Sequence, residues 1–167
     1  SGPKQFIGKI DRETGDTSSN NEEEEFMTIQ VGDKVPDIDL TTMTAEGPGA
    51  VTSADLFGGK KVVLFAVPGA FTPTCSAKHL PGFVGNVEAI KAKGVDTVAC
   101  LSVNDVFVMG AWGNDQSVGD NVLMLADGAA KFNTAMGLDW DLSERGLGLR
   151  CQRYAMIVED GTVTHLA

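Results

Sequence analysis

Residues 62–75, VVLFAVPGAFTPTC, decide the fold, because they run from an apolar segment through a turn into a helix. Val62–Val67 is a continuous apolar run, largely β-branched, of the kind that forms a strand buried on both faces of a sheet. Pro68–Gly69 then predicts a turn. Apolar residues recur at helical spacing after the turn, so the sequence predicts a helix over Pro73–Lys93.

Cys75 is expected in the first turn of this helix. Thr72 and Pro73 suit the N-cap and the first helical position. The unpaired N–H groups and the positive end of the helix dipole stabilise a thiolate there. Helix N-termini and cationic neighbours lower the pKa of a cysteine thiol from about 8.5 to roughly 3.5–7.5. The placement of Cys75 therefore favours a nucleophile over a structural cysteine.

Strand and helix patterns alternate through the rest of the chain, which is typical of an α/β domain. Asp160-Gly161 indicates a hairpin between the last two strands, so we expect a central mixed sheet flanked by helices. The predicted strands are Thr28–Val31, Ile38–Thr41, Lys61–Val67, Thr97–Val103, Val122–Leu125, Tyr154–Val158 and Thr162–Leu166. The predicted helices are Ser53–Phe57, Pro73–Lys93, Asp105–Asp115 and Ala129–Met136.

The length of 167 residues and the hydrophobic content of 43% suit one domain, expected over residues 28–167. Residues 1–27 contain a run of polar residues and four consecutive glutamates, with few apolar residues to bury. We expect this segment to be a disordered extension, or a remnant of cloning at its start.

The net charge of −10 argues against a nucleic-acid partner, because phosphate-binding domains carry a basic face. No apolar run approaches the roughly 18 residues of a membrane span, and no secretory signal begins the chain. The three cysteines form no Cys-x-x-Cys pair and no zinc-ligand spacing, so neither a disulfide framework nor a metal cofactor is expected. We expect a reducing compartment, the cytoplasm or an organelle.

The run PGAFTPTCS resembles the peroxiredoxins, whose signature Pro-x-x-x-Thr-x-x-Cys matches Pro68, Thr72 and Cys75. KHLPGF, SVNDVFVMGAW, GLGLR and RYAMIVEDG follow in the same order, and together they resemble the type II, or Prx5-like, branch over residues 28–167. The resemblance implies a thioredoxin-like fold, which the order of elements also suggests. Members usually continue with a C-terminal helix beyond the point where this chain stops, at Ala167.

The family further implies a peroxidase that reduces hydrogen peroxide and small organic hydroperoxides through a sulfenic acid on Cys75, without metal, haem or flavin. Thr72 would hold its hydroxyl near the sulfur and the peroxide, and Pro68 would shape the pocket. A cation must also stabilise the thiolate and the leaving oxygen. Arg145, Arg150 and Arg153 are candidates; the family arginine precedes the aromatic residue of the late strand, which selects Arg153 before Arg150.

The sulfenic acid must be returned to a thiol by a second thiol. Type II relatives often carry a second cysteine at the distance of Cys100, which makes Cys100 a candidate resolving residue, although its apolar neighbours indicate a buried strand. The other possibility is a one-cysteine enzyme reduced by glutathione, glutaredoxin or thioredoxin. Cys151 is interpreted as a bystander.

Other interpretations stay open. His79, four residues after Cys75, could act as its base, although a thiolate stabilised by a helix and an arginine needs none. The chain could be a peroxide sensor that uses Cys75 as a switch, or a thiol-disulfide oxidoreductase, against which the missing Cys-x-x-Cys speaks. Phe71 and Phe107 could belong to the core or to the interface of a homodimer.

Overall fold

The structure is a computed structural model that describes residues 28–73 and 80–167. Residues 1–27, Cys75 and His79 lie outside the described residues. Within the described ranges the chain forms these strands and helices: β1 (Leu40–Thr44), β2 (Gly47–Val51), α1 (Ser53–Phe57), β3 (Lys61–Val67), α2 (Leu80–Ala92), β4 (Thr97–Ser102), α3 (Val106–Asp115), β5 (Leu123–Ala126), α4 (Lys131–Met136), β6 (Asp139–Leu142), β7 (Gly148–Cys151), β8 (Tyr154–Glu159) and β9 (Thr162–Leu166).

A seven-stranded sheet, in the order β2-β1-β5-β4-β3-β8-β9, forms the centre of the fold. β3, β4 and β5 pair in parallel, whereas β1 pairs antiparallel with β5, and β8 pairs antiparallel with both β3 and β9. β6 and β7 form a separate antiparallel hairpin. The expected α/β fold with a central mixed sheet is confirmed.

The central strand β3 divides the core into two apolar clusters, one on each face of the sheet. Leu64 and Ala66 belong to one cluster, and Phe65 and Val67 belong to the other. All four side chains are fully buried, as expected for a strand covered on both faces. α1 and α4 contribute to the first cluster and α2 and α3 to the second, through Leu56, Phe57, Phe132 and Met136, and through Leu80, Val87, Met109 and Trp112.

A two-residue turn joins β8 to β9. Glu159 pairs with Thr162, and between them Asp160 and Gly161 take φ values of +48° and +80°. Two consecutive residues with positive φ are typical of a type I′ hairpin turn, for which Asp-Gly is a preferred pair. The hairpin that this dipeptide predicts is confirmed.

The predicted strand Thr28–Val31 is wrong, because none of these residues is in a strand and a turn begins at Val31. The carboxylate of Asp33 accepts a hydrogen bond from the N–H of Gln30, and the N–H of Asp33 donates to the carbonyl of Gln30. Ile29 then donates its N–H to the last residue of α4, Met136, instead of to a sheet partner. The local bonding of an aspartate therefore overrides the β-branched run.

The first hairpin and the β6–β7 hairpin differ from the sequence expectation. The strand expected at Ile38–Thr41 begins at Leu40 and continues to Thr44. β2, whose sequence is GPGAV, was not expected because glycine and proline are depleted in strands. β6 and β7 are four residues each and their register pairs Asp139 with Cys151. Such short strands carry too few alternations to be recognised.

Candidate active site

The turn that follows β3 lies at the end of the sheet where β3 and β4 end and β8 begins. Parallel pairing sets Val67, the last residue of β3, beside Ser102, the last residue of β4. Antiparallel pairing sets Tyr154, the first residue of β8, beside Ala66. Arg153 directly precedes Tyr154, just outside the paired residues of β8. Segments far apart in sequence meet at this edge, where the turn that precedes Cys75 in the sequence begins.

Side chains from β4, β7 and the loop after β4 hold the backbone of this turn. The carbonyl of Val67 accepts hydrogen bonds from the hydroxyl of Ser102 at 2.9 Å and from the thiol of Cys151 at 3.2 Å. The N–H of Ala70 donates to Oδ1 of Asn104 at 3.0 Å, and that oxygen lies 2.8 Å from the Ser102 hydroxyl. An unpaired buried polar group costs about 1–3 kcal/mol, so these contacts fix the path of the turn.

Thr72 and Phe71 shape the end of the turn. The hydroxyl of Thr72 donates to the carbonyl of Gly69 at 2.7 Å, which leaves the hydroxyl oxygen able to accept a further hydrogen bond. Phe71 has a φ of +62°, a strained value for an aromatic residue, and Pro73 is already helical. The N-cap role of Thr72 stays a prediction, because the residues it would cap lie outside the described range.

Arg150 is the cation that the structure brings onto the turn. Its Nη1 lies 3.5 Å from the carbonyl oxygen of Pro68 and 3.4 Å from that of Val103, and its Nε donates to the carbonyl of Leu147 at 2.8 Å. A Cβ added to Gly69 would lie 3.2 Å from Nη1 of Arg150. Glycine at this position therefore lets the guanidinium approach the backbone.

Arg153 occupies the same edge of the sheet in a different setting. It lies in the short connection between β7 and β8, and its side chain is exposed. Pro68 and Thr72, in the turn that follows β3, are half-buried. The structure thus brings Pro68, Thr72 and Arg150 together around Gly69. It places Arg153 next to Tyr154, which pairs with Ala66 near the same end of β3.

The two described cysteines are fully buried and lie in different cores. Cys100 lies in β4 opposite Phe65 and belongs to the cluster that includes Leu80 and Val87 of α2. Cys151 belongs to the other cluster, where its thiol contacts the turn. Cys151, expected from the sequence to be a bystander, contributes a hydrogen bond to the Val67 carbonyl at the edge of the candidate site.

The exposed fractions of the large apolar side chains in the turn and in α3 distinguish core residues from surface residues. Met109 and Trp112 are buried, whereas Phe71 is 51% exposed and Phe107 is 64% exposed. The rings of Phe71 and Trp112 lie 6.4 Å apart.

Within residues 28–73 and 80–167, no three histidine, cysteine or acidic side chains are grouped so as to hold a metal ion.

Comparisons with known proteins identify the family. The Redoxin family model matches residues 30–167. Peroxiredoxin-2E-2, chloroplastic, of Oryza sativa subsp. japonica is 53% identical over 141 residues, which cover 81% of this chain and 63% of that protein. The chain belongs to the peroxiredoxins. It spans less than two thirds of the length of the rice relative.

Similarity to solved structures indicates the branch of the peroxiredoxins to which this chain belongs. Reduced Prx3 from Vibrio vulnificus, in complex with hydrogen peroxide, is 53% identical with a TM-score of 0.80, over 83% of this chain and 87% of that chain. Peroxiredoxin 5 from Alvinella pompejana is 34% identical with a TM-score of 0.76, over 83% of this chain and 88% of that chain. The thioredoxin-like fold and the type II, Prx5-like branch are confirmed.

Sequence reasoning missed two residues that shape the site of this peroxiredoxin. Asn104 and Ser102 hold the turn, and the only signal for them is their position immediately at and after the end of a buried strand. Polar residues at such strand ends gather at one edge of a parallel sheet. Their contact with a turn 34 or 35 residues earlier depends on the pairing of β3 with β4.

Proposed function

We propose that this peroxiredoxin is a thiol peroxidase that reduces hydrogen peroxide and small organic hydroperoxides through Cys75. The observation that carries the proposal is the turn Val67–Thr72, which several side chains hold beside two arginine positions immediately before Cys75. The Vibrio vulnificus relative, described in complex with hydrogen peroxide, supports the same substrate.

In the proposed reaction, the thiolate of Cys75 attacks one peroxide oxygen, and an S–O bond forms as the O–O bond breaks. The leaving oxygen takes up a proton and departs as water or an alcohol, while the sulfur becomes a sulfenic acid. Thr72, whose hydroxyl donates to Gly69, keeps oxygen lone pairs with which to accept a hydrogen bond from the protonated peroxide oxygen. Pro68 has no backbone donor and shields the pocket.

The two arginines have different proposed roles. Arg150 directs its contacts to the backbone carbonyls of Pro68, Val103 and Leu147, so it serves as a clamp on the turn. Arg153 directly precedes Tyr154, the first residue of β8, which is the position of the family arginine before an aromatic residue. We assign to Arg153 the stabilisation of the Cys75 thiolate and of the leaving oxygen, because an arginine is always charged and presents several fixed donors.

The proposed route back to the thiol uses an external reductant of the glutathione, glutaredoxin or thioredoxin type. Cys100 is fully buried in β4 and packed in the same core as α2, so a Cys75–Cys100 disulfide requires the start of that helix to unfold. An external thiol does not require Cys75 to reach the buried Cys100. The Cys100 route remains the alternative that the experiment below separates.

A homodimer and a reducing compartment complete the proposal. Phe71 in the signature loop and Phe107 in α3 are both exposed, and aromatic side chains are enriched at interfaces. The reactive thiol and the odd number of cysteines favour a reducing compartment, the cytoplasm or an organelle. Among the helices that the structure describes, none is long and apolar enough to cross a membrane.

The deciding experiment combines mass spectrometry after one equivalent of hydrogen peroxide with a turnover assay, on the native chain, Cys75→Ser and Cys100→Ser. We expect sulfenic acid on Cys75, turnover with an external thiol, and no peroxide consumption by Cys75→Ser. A disulfide that is lost in both variants would replace the external route by the Cys100 route. Peroxide consumption by Cys75→Ser at the native rate would refute the proposed peroxidase mechanism. Stoichiometric oxidation of Cys75 without turnover would favour a peroxide sensor.

A further inference from the structure

A chain of buried hydrogen bonds ends at the residue that follows Arg153. Tyr154 opens β8 and is only 5% exposed. Its hydroxyl donates to Oδ1 of Asn133 at 2.7 Å. Nδ2 of the same amide, which is fully buried in α4, donates to Oδ2 of Asp127 at 2.9 Å. The peroxidase mechanism proposed above uses none of these three side chains.

Asp127 connects this chain of bonds to the rest of the fold. Its carboxylate, 4% exposed, accepts the N–H groups of Phe132 at 3.1 Å and of Asn133 at 2.9 Å. It thereby caps the start of α4, where Ala130 at the N-cap offers no side-chain acceptor. The backbone N–H of Asp127 donates to the carbonyl of Ser102 at 3.0 Å, at the end of β4. The network therefore joins β4, α4 and β8.

Packing alone does not account for a hydroxyl at Tyr154. A phenylalanine ring would fill the same core, whereas a buried hydroxyl, amide and carboxylate stabilise the fold only when every one of them is paired. Hydrogen bonds are directional, and a fully paired buried network specifies one arrangement of the elements that it joins. The network therefore fixes the start of β8 relative to α4 and to the end of β4.

The start of β8 lies against the turn. Tyr154 is opposite Ala66, and Arg153 directly precedes it. The next residue of β3, Val67, has a carbonyl that is itself held by Ser102 and Cys151. A shift of the first residue of β8 would move Arg153 along the edge where the turn begins. We propose that Tyr154, acting through Asn133 and Asp127, is a positioning residue that fixes Arg153 against the end of β3 for its work on Cys75.

The donor in this network stays protonated. Burial raises the pKa of the Tyr154 phenol well above its ordinary value of about 10, and the neighbouring Cys151, Asp127 and Cys100 add to the effect. The phenol therefore remains a donor to Asn133 over the whole range in which a peroxidase thiolate operates. The inference rests on the proposed function, since it assigns a support to the proposed role of Arg153.

The test is a double-mutant cycle on the full chain with Tyr154→Phe, Arg153→Ala and the double variant. Two quantities are measured, the second-order rate constant of Cys75 oxidation by hydrogen peroxide and the Cys75 thiol pKa from the pH dependence of its alkylation. We expect Tyr154→Phe to slow oxidation about tenfold, since small misplacements of a reacting group cost up to about 100-fold, and to raise the thiol pKa. In the Arg153→Ala background the same change should have little further effect.

A matched control is Thr42→Val, which removes a half-buried side-chain bond of 2.7 Å to the carbonyl of Met124 between β1 and β5. It should leave the oxidation rate and the thiol pKa unchanged. Asp127→Asn, which keeps the volume of the side chain, should reproduce a smaller version of the Tyr154→Phe effect.

Each outcome decides between the two claims. If Tyr154→Phe lowers the melting temperature but leaves the oxidation rate and the thiol pKa unchanged, the network is only structural and the inference fails while the peroxidase stands. Equal slowing with and without Arg153 would also overturn it, because the effect would not pass through Arg153. If Arg153→Ala itself oxidises at the native rate, the proposed role of Arg153 fails first, and the inference fails with it.

Discussion

Two different kinds of turn lie at the two ends of the β3–β8 strand pair. Near the start of β3, Asp160 and Gly161 turn the chain within two residues, with the positive φ values that their own chemistry allows. At the other end, the turn Val67–Thr72 takes its shape from side chains of β4, β7 and the loop after β4. The first turn takes its φ values from its own two residues, and Asp160 also bonds to Gly59 and Lys60, whereas the second turn is held by side chains from other elements.

This difference matches what each end does. Asp-Gly favours a tight hairpin turn through its own backbone preferences, so the shape of this turn depends less on side chains from elsewhere in the molecule. The turn after β3 stays in place only while Ser102, Asn104, Arg150 and Cys151 stay in place, so each of them can alter the pocket that precedes Cys75. We therefore expect substitutions at this end to change activity, and substitutions at the Asp160–Gly161 end to change stability alone.

The largest effect is expected for Arg153→Ala. Removal of a donor aimed at developing charge costs on the order of 100-fold in rate, so kcat/KM for hydrogen peroxide should fall by about that factor, and the Cys75 thiol pKa should rise.

Arg150→Ala should lower kcat/KM about tenfold by loosening the turn. Steady-state kinetics with alkylation at several pH values measures both. The assignment of the two roles is reversed if Arg150→Ala raises the thiol pKa and Arg153→Ala does not.

A smaller loss is expected for Asn104→Ala. The variant leaves the N–H of Ala70 without its 3.0 Å acceptor, and an unpaired backbone donor costs about 1–3 kcal/mol of stability. The turn should relax, and we expect kcat/KM to fall about tenfold. Asn86→Ala is the control, because Asn86 makes a side-chain bond of similar length, 2.7 Å, on the exposed surface of α2. Equal activity in the two variants would show that the turn keeps its shape without Asn104.

At the opposite end, Gly161→Ala should reduce stability and leave the peroxidase activity unchanged. Gly161 has a φ of +80°, and a Cβ added there would meet no atom within 4 Å, so the cost is conformational. A left-handed conformation costs a residue with a side chain roughly 1–2 kcal/mol. Urea unfolding measures the loss, and the same samples are assayed with hydrogen peroxide. A fall in kcat/KM equal to that of Asn104→Ala would remove the contrast between the two ends.

The sequence was sufficient for the features that depend on local pattern. The β8–β9 turn follows from Asp160-Gly161, and β3 follows from its apolar run. The contacts of Asn104 and Arg150 could not be predicted, because each side chain meets a backbone group 34 or 82 residues away that only the strand pairing brings near. Thr28–Val31 shows the opposite failure, in which a strand-like run is held in a turn by the neighbouring Asp33.

The smallest expected effect appears only at high pH and concerns Tyr154, the single tyrosine of the chain. Burial raises the pKa of its phenol in the folded state, so between about pH 10 and that raised value the unfolded chain has lost a proton that the folded chain keeps. The free energy of unfolding should therefore fall as pH rises above about 10, with a slope of up to about 1.4 kcal/mol per pH unit from this group. Tyr154→Phe should lack this part of the slope, and lysines, which also titrate there, cancel in the comparison. Phenolate absorbance rising near pH 10 while the native fold persists would contradict the buried network and leave the start of β8 held by packing alone.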